Sequence, residues 1–311
     1  MLVQDMSGEM CEPIQPADAA GNSCLATAGS TPGYCSFCQP GNSSPGAPPG
    51  DCAFGAAGVP ACATRLQLSA YLVPRILAQV VPANLFLGLT TFPAPASGGA
   101  ACAAGGVVVP VSDATSTLEP IAASYQSVAG AAAGGGPLAA TLEAITADPV
   151  MGDPSLQRKY VVLITGGLPN CDAANPCATE PWSDGVVRGC ESQSVVASQG
   201  IQASPAAGCL CSFGACLDPQ QTNDCCPAPA AGGSSSGDFC LDGAASVAAV
   251  SQLYSAYGIQ TSIVAMGMDW AAQSALLQQL AAAGHGSSAL ATSPEQLQAA
   301  LQALFTQLSG G

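Results

Sequence analysis

The sequence predicts an α/β fold in which a doubly wound, mostly parallel sheet carries helices on both faces. Apolar runs with the length of a buried strand, such as residues 159–165 (Lys-Tyr-Val-Val-Leu-Ile-Thr) and 259–266, alternate with segments of helical apolar periodicity. Strands that alternate with helices in this way form a mostly parallel sheet. Such a sheet holds its ligand site beyond the carboxyl ends of its strands, where the strand order switches.

The first strand opens the chain. An apolar start leads into Asp5-Met6-Ser7-Gly8-Glu9, which we interpret as the end of a buried strand and the polar loop after it. Farther along, Leu68, Leu72 and Ile76 recur at helical spacing within residues 64–80, so this segment is predicted to be an amphipathic helix. Pro74 should kink that helix because it removes one backbone hydrogen bond.

Two strands and two helices follow in the first half. Residues 84–92 form a continuous apolar run that ends at Pro93, and residues 107–111 form a shorter one. Pro110 lies inside the second run and predicts an edge strand, because proline cannot donate to a neighbouring strand. Residues 117–128 and 137–148 have the pattern of helices.

The second half contains the clearest strands. Residues 159–165 stop at Gly166-Gly167, and residues 259–266 form another strand. Helices are predicted to begin after the capping residues Asp242, Asp269 and Ser293. The first of these helices should bury one stripe, made of Val247, Val250, Tyr254 and Tyr257.

Two cysteine-rich segments interrupt this pattern, at residues 11–63 and 168–241. Both are rich in Gly, Pro, Ala and Ser and lack apolar periodicity, so we interpret them as disulfide-stapled insertions in a single domain that spans residues 1–311. Each follows the carboxyl end of a predicted strand. The insertions should therefore gather on the same face as the ligand site.

Sixteen cysteines indicate an oxidising compartment, and an even number permits complete pairing. The chain is therefore expected to be secreted, periplasmic or exposed at the cell surface, with a leader upstream of the sequence given. If the first six pair among themselves, Cys102 must bond to the last group; the connectivity is otherwise open. Zn²⁺ binding by thiolates, or a redox pair at Cys35 and Cys38, is the alternative. The predicted disulfide cysteines are Cys11, Cys24, Cys35, Cys38, Cys52, Cys62, Cys102, Cys171, Cys177, Cys190, Cys209, Cys211, Cys216, Cys225, Cys226 and Cys240.

The charge balance limits the class of partner. Five Lys and Arg residues against twenty Asp and Glu residues give a net charge of -15, which argues against nucleic acid because phosphate contacts need clustered cations. An acidic surface instead favours cations or basic partners. No run of eighteen apolar residues is free of Gly and Pro breaks, so no transmembrane span is predicted.

The first loop contains the candidate metal ligands Asp5, Ser7 and Glu9. Carboxylate and hydroxyl oxygens are the ligands that Mg²⁺ and Ca²⁺ prefer. The alternative is a turn in which Asp5 and Ser7 bind nearby backbone N–H groups.

Several local sequences resemble the von Willebrand factor type A family. Residues 5–9 resemble its first metal motif, D-x-S-x-S, and residues 161–167 resemble its "LLTDG" strand end. Residues 135–138 (Gly-Gly-Pro-Leu) resemble its "GGTPL" loop, and residues 259–308 are similar to its C-terminal half. The resemblance covers nearly the whole chain apart from the insertions, which are similar to those of secreted bacterial members. It implies an adhesion or binding role towards an unknown protein or cell-surface ligand.

The resemblance also implies where a cation would bind and how this chain differs. Asp5 and Ser7 match the family's ligands, whereas Glu9 replaces a Ser, Gly136 replaces a Thr and Gly166 replaces an Asp. Since glycine supplies no side-chain oxygen, we expect Mg²⁺ or Ca²⁺ binding to be weak or absent and expect no cofactor. Cation-dependent adhesion through Asp5, Ser7 and Glu9 is the alternative.

An enzyme is the competing class of function. Residues 233–237 (Gly-Ser-Ser-Ser-Gly) fit the pattern of a nucleophile elbow, with Ser235 as the nucleophile and His285 and Asp269 as partners. That elbow requires a strand that runs directly into a helix, whereas Ser235 lies in a Gly/Ser tract, and His285 after Gly284 is predicted to be a loop residue. The elbow is therefore not expected to be catalytic, and the type A resemblance implies a non-enzymatic binding module.

Overall fold

The computed structural model describes residues 1–7, 10, 14, 63–82, 85–94, 104–128, 136–156, 158–167, 169, 210–212, 215–217, 224–225, 243–267 and 271–310. Most of the predicted insertions at 11–63 and 168–241 lies outside these residues. The side chains of all sixteen cysteines lie outside them as well, so the predicted disulfides stay a prediction.

Nine strands are described in this part of the chain. They are β1 (Leu2–Asp5), β2 (Phe86–Phe92), β3 (Gly106–Asp113), β4 (Lys159–Thr165), β5 (Leu210–Ser212), β6 (Ala215–Leu217), β7 (Asp224–Cys225), β8 (Ile259–Met266) and β9 (His285–Ala291). Strands β5, β6 and β7 form a small antiparallel sheet within the second insertion.

The main sheet has the strand order β3-β2-β1-β4-β8-β9. Every neighbouring pair is parallel except β2 and β3, which are antiparallel. The sheet is therefore the mostly parallel one that the sequence predicts, with β3 and its Pro110 at an edge. The order reverses direction at β1, where Leu2 lies opposite both Leu89 of β2 and Val162 of β4.

Seven helices accompany the strands among the described residues. They are α1 (Arg65–Val80), α2 (Ala114–Val128), α3 (Leu138–Ala144), α4 (Pro149–Gly152), α5 (Gly243–Tyr257), α6 (Ala271–Ala283) and α7 (Pro294–Gly310), with a 3₁₀ turn at Ile145–Ala147. Helix α1 continues through Pro74. No described helix has both the length and the apolarity to cross a membrane.

The core lies in two layers, one on each face of the sheet. Along β4, Val162 and Ile164 contribute to the layer beneath α1, α2 and α7. Val161 and Leu163, which point to the other face, contribute to the layer beneath α3, α5 and α6. Helices on both faces explain why the central strands are continuously apolar rather than alternating.

Local capping corrects two predicted helices. The helix predicted at 137–148 is shorter, because Asp148 caps the separate helix α4 by accepting hydrogen bonds from Val150 N at 2.9 Å and Met151 N at 3.2 Å. The helix predicted at 117–128 begins earlier, at Ala114, because Asp113 accepts from Ser116 N at 3.0 Å.

Two further sequence predictions need correction. The fully buried residues of α5 are Ser246, Ala249, Val250 and Leu253; of the predicted stripe, Val250 is among them, and the partly buried Val247 and Tyr257 pack against the same core layer. Both tyrosines of that stripe are half-buried. His285 is the first residue of β9 rather than a loop residue, and it stacks on Tyr254 with ring centroids 3.7 Å apart.

Candidate functional site

The candidate site lies beyond the carboxyl ends of β1 and β4, where the strand order switches. Asp5 is the last residue of β1, and Thr165 is the last residue of β4. Parallel pairing of these two central strands places both side chains at the same end of the sheet. Residues 160 positions apart in the sequence are brought together in this way.

The Asp5 carboxylate is buried and accepts hydrogen bonds at both oxygens. Asp5 is only 2% exposed. Ser7 N donates to Oδ1 at 2.8 Å, while Thr165 Oγ1 and Gly166 N donate to Oδ2 at 2.7 and 3.3 Å. Three donors, from the loop after β1 and from the end of β4, therefore hold the carboxylate in one orientation. The bond from Ser7 N forms the turn that the sequence allowed.

Burial raises the pKa of Asp5 above its ordinary value, because desolvation penalises the charged carboxylate. The hydrogen bonds from Ser7, Thr165 and Gly166 act in the opposite direction and are the smaller effects. A direct metal ligand must be deprotonated, so a raised pKa weakens Asp5 as a ligand.

The Thr165 hydroxyl can form a hydrogen bond with Asp5 whether the carboxyl group is ionised or protonated. Its Oγ1 lies 3.0 Å from the carbonyl oxygen of Gly167 as well as 2.7 Å from Asp5 Oδ2. When Asp5 is ionised, the hydroxyl donates to the carboxylate. When Asp5 is protonated, the carboxyl can donate to Thr165, which then donates to Gly167.

Arg65 is the buried cation of this site, which forms the rim at the carboxyl ends of β1 and β4. It was not identified from the sequence. It is the first residue of α1, is 4% exposed, and donates from Nη1 to Gly166 O at 2.6 Å. A cation at a helix N-terminus is unfavourable with respect to the helix dipole. That placement, in a chain with only five Lys and Arg residues, is the sequence signal that could have identified it.

A capping box fixes where α1 begins and therefore where Arg65 lies. Thr64 Oγ1 accepts from Gln67 N at 3.1 Å, and Gln67 Oε1 accepts from Thr64 N at 3.0 Å. These reciprocal bonds satisfy two backbone donors that the first turn leaves open.

The structure brings together only part of the predicted ligand set. Asp5 and Ser7 are in contact, and Gly166 donates its amide to Asp5. Glu9 lies outside the described residues. Gly136 belongs to the turn before α3, where its carbonyl accepts from Leu138 N at 2.8 Å. Within the described ranges, no group of three or more His, Cys, Asp or Glu side chains is arranged to hold a metal ion.

The hypothetical hydrolase triad is described at one position only. Ser235 and Asp269 lie outside the described residues. His285 is exposed, and its ring stacks on Tyr254 at an interplanar angle of 15°. The stacking places the His285 ring against Tyr254 of α5.

A cavity of about 430 Å³ lies at the opposite end of the sheet, by the amino ends of β2 and β4. Its described lining is mainly apolar and includes Phe86, Leu87, Val162 and Phe305. None of the predicted ligands belongs to that lining. The polar residues around Asp5, and not this apolar cavity, therefore form the candidate functional site.

Comparisons with known proteins give a likeness of fold. No family model matches the sequence, and no curated protein matches it. The chain is similar to the pilus adhesin SpaC of Lactobacillus rhamnosus GG at 15% identity and a TM-score of 0.49, over 99% of this chain and 30% of that one. It therefore spans less than a third of the length of SpaC.

Two other solved structures are similar over nearly the whole of this chain. A von Willebrand factor type A protein of Catenulispora acidiphila is 11% identical with a TM-score of 0.45, over 99% of this chain and 42% of that one. The conserved hypothetical protein BatB of Bacteroides thetaiotaomicron is 10% identical with a TM-score of 0.44, over 100% of this chain and 98% of that one. A von Willebrand factor type A protein is thus among the structures that this chain resembles, as the sequence predicted.

Proposed function

We propose that this chain is a non-enzymatic, extracytoplasmic binding module of von Willebrand factor type A kind, which recognises a protein or cell-surface ligand without a divalent cation. The observation that carries the proposal is the closed hydrogen bonding of Asp5. Its two oxygens already accept from Ser7, Thr165 and Gly166. A cation that used Asp5 directly would compete with these donors for the carboxylate oxygens.

The charge of the chain supports a basic partner. With a net charge of -15, the surface attracts cationic proteins and repels phosphate-rich ones. Both predicted insertions follow strands that end at this rim, after β1 and after β4. The contact surface would then be formed by the insertions, with the polar network around Asp5 as its rigid base.

Two other functions compete with this proposal. In the first, Asp5, Ser7 and Glu9 hold Mg²⁺ or Ca²⁺ and adhesion depends on the ion. In the second, Ser235 acts as the nucleophile of a hydrolase. The second predicts ester hydrolysis that disappears in Ser235→Ala, and we expect equal, background-level rates for both proteins.

A bead-adhesion assay tests the binding role. Beads that carry the chain are washed over wells coated with a basic protein, an acidic protein or intact bacterial cells, in buffer with Mg²⁺ or with EDTA. Poly-glutamate beads matched in surface charge are the control, because any acidic surface attracts basic proteins.

The proposal expects retention on the basic protein or on cells above that of the control beads, and equal retention in Mg²⁺ and EDTA. Retention that requires Mg²⁺ would establish the cation-dependent alternative. Retention no greater than the control on every surface would contradict the binding role.

A further inference from the structure

We infer that the Arg65 guanidinium is the resident cation of this rim and takes the place that the type A resemblance assigns to a divalent metal ion. The inference rests on the proposed function, because it names the group that makes the rim independent of a metal. It follows from the contacts of Arg65 with the ends of β4 and β8.

The first contact joins Arg65 to the carboxylate through one residue. Gly166 follows β4 directly, and its carbonyl accepts from Arg65 Nη1 at 2.6 Å. The amide of the same glycine lies 3.3 Å from Asp5 Oδ2. A positive and a negative group therefore bind the two backbone polar groups of a single residue, and Gly166 is held between them.

The second observation is that the Arg65 side chain occupies the space beside two glycines. A Cβ on Gly267, after β8, would lie 2.7 Å from Arg65 Nη2, and one on Gly166 would lie 2.9 Å from Arg65 Cδ. Gly267 also has a φ of +136°, which other residues rarely adopt. The arginine side chain thus fills the space over the ends of both strands that side chains at these positions would need.

Gly166 is the position at which the resemblance expects an aspartate ligand. A side chain there would collide with Arg65 and with Met10, whose Sδ would lie 2.6 Å from the added Cβ. The glycine at this position and the buried arginine therefore fit together: glycine leaves room, and the guanidinium supplies the positive charge. The described residues do not fit a divalent cation at this position.

Charge repulsion adds to the steric argument. A divalent ion at Asp5 would lie beside Gly166, whose carbonyl binds the buried guanidinium, and like charges repel more strongly where water is excluded. Arg65 is nearly inaccessible, at 4% exposure, so solvent screens it poorly. Removing its charge should strengthen cation binding by roughly tenfold or more.

Paired substitutions test this role. Arg65→Gln removes the charge and keeps an N–H donor for Gly166, whereas Arg65→Lys keeps the charge. Arg75→Gln is the matched control, because Arg75 lies on the same helix but is exposed, donates to Tyr71 O at 2.8 Å and stacks on the Tyr71 ring. Each protein is titrated with Mn²⁺ by electron paramagnetic resonance, which counts free ion, and with Mg²⁺ by thermal unfolding.

The expected result is a gain of saturable Mn²⁺ binding and of Mg²⁺-dependent stabilisation in Arg65→Gln alone. Equal weak binding in the Arg65→Gln and Arg75→Gln proteins would overturn the role of Arg65 while leaving the proposed function intact. Tight Mn²⁺ binding by the unsubstituted chain would overturn both.

A measurement on the unsubstituted chain covers the case in which Arg65→Gln does not fold. The Nε–Hε resonance of Arg65 should exchange with water far more slowly than that of Arg75, and millimolar Mg²⁺ should leave it unchanged. Exchange as fast as that of Arg75, or a shift on adding Mg²⁺, would overturn the inference.

Discussion

Asp5 and Arg65 both bind the backbone of Gly166: Gly166 N lies 3.3 Å from the Asp5 carboxylate, and Gly166 O lies 2.6 Å from Arg65 Nη1. The carboxylate ends β1, the cation begins α1, and the glycine follows β4. Three separate parts of the chain therefore meet at the switch in strand order. The result is a fixed polar network on the rim rather than an open set of oxygen ligands.

The raised pKa of Asp5 predicts a specific dependence of stability on pH. The folded state keeps the proton at pH values where the unfolded chain, with an ordinary value of 3.8, has lost it. The stabilisation is complete below that value and is lost as the pH rises through the raised pKa of the folded state. We expect the difference in unfolding free energy between the unsubstituted chain and Asp5→Asn to fall over this range. Urea unfolding at a series of pH values measures it.

Asn is the matched substitution, because it is neutral at every pH and keeps an acceptor for Ser7 N. Asp5→Ala should be more destabilising, since it leaves buried donors without their acceptor. A difference between unsubstituted chain and Asp5→Asn that stays constant with pH, or grows as the pH rises, would contradict the burial argument.

The Thr165 hydroxyl is predicted to matter more than its methyl group. Thr165→Val keeps the shape but removes the donor to Asp5 Oδ2, so we expect a loss of about 1–3 kcal/mol in the free energy of unfolding. Thr165→Ser keeps the hydroxyl and should recover much of that loss. Chemical unfolding compares the three proteins, and equal stability of the Val and Ser variants would contradict the prediction.

The capping box at the start of α1 predicts that loss of its side-chain acceptor lowers the free energy of unfolding modestly. Thr64→Ala removes the acceptor for Gln67 N and should cost about 1 kcal/mol. Thr64→Ser retains the oxygen and serves as the control. A loss in Thr64→Ser as large as that in Thr64→Ala would show that the methyl group, not the cap, stabilises this helix end.

The local sequence pattern was sufficient to predict most of the fold. The bounds of β4 and β8 agree with those predicted, because a fully buried parallel strand is apolar along its whole length. The predicted stripe of α5 was only partly right, because Tyr254 and Tyr257 are apolar enough to fit the periodicity but are only half-buried. Ambiguity of this kind follows from the two-sided chemistry of tyrosine.

The local motifs, and the resemblance built on them, predicted part of the site, including Gly166 beside Asp5. The motif at Asp5 and Ser7 pointed to the right loop. Thr165 and Arg65 were missed because their partners, Asp5 and Gly166, are 160 and 101 positions away. Such contacts depend on strand register and on tertiary packing, which no local pattern encodes.

The sixteen cysteines carry a prediction of their own. Complete pairing gives eight disulfides, so the denatured, unreduced protein should contain essentially no reactive thiol. A thiol assay before and after reduction measures this, with reduced protein as the control. Several reactive thiols that become protected on adding Zn²⁺ would favour the thiolate alternative instead.

Soaking crystals of the unsubstituted chain in Mn²⁺ tests the central claim most directly, because anomalous scattering locates the ion independently of any binding assay. We predict no anomalous peak at coordination distance, roughly 2 Å, from Asp5 or Ser7, with the guanidinium of Arg65 on Gly166 O. A peak coordinated by Asp5 and Ser7, with Arg65 displaced from Gly166, would contradict the account.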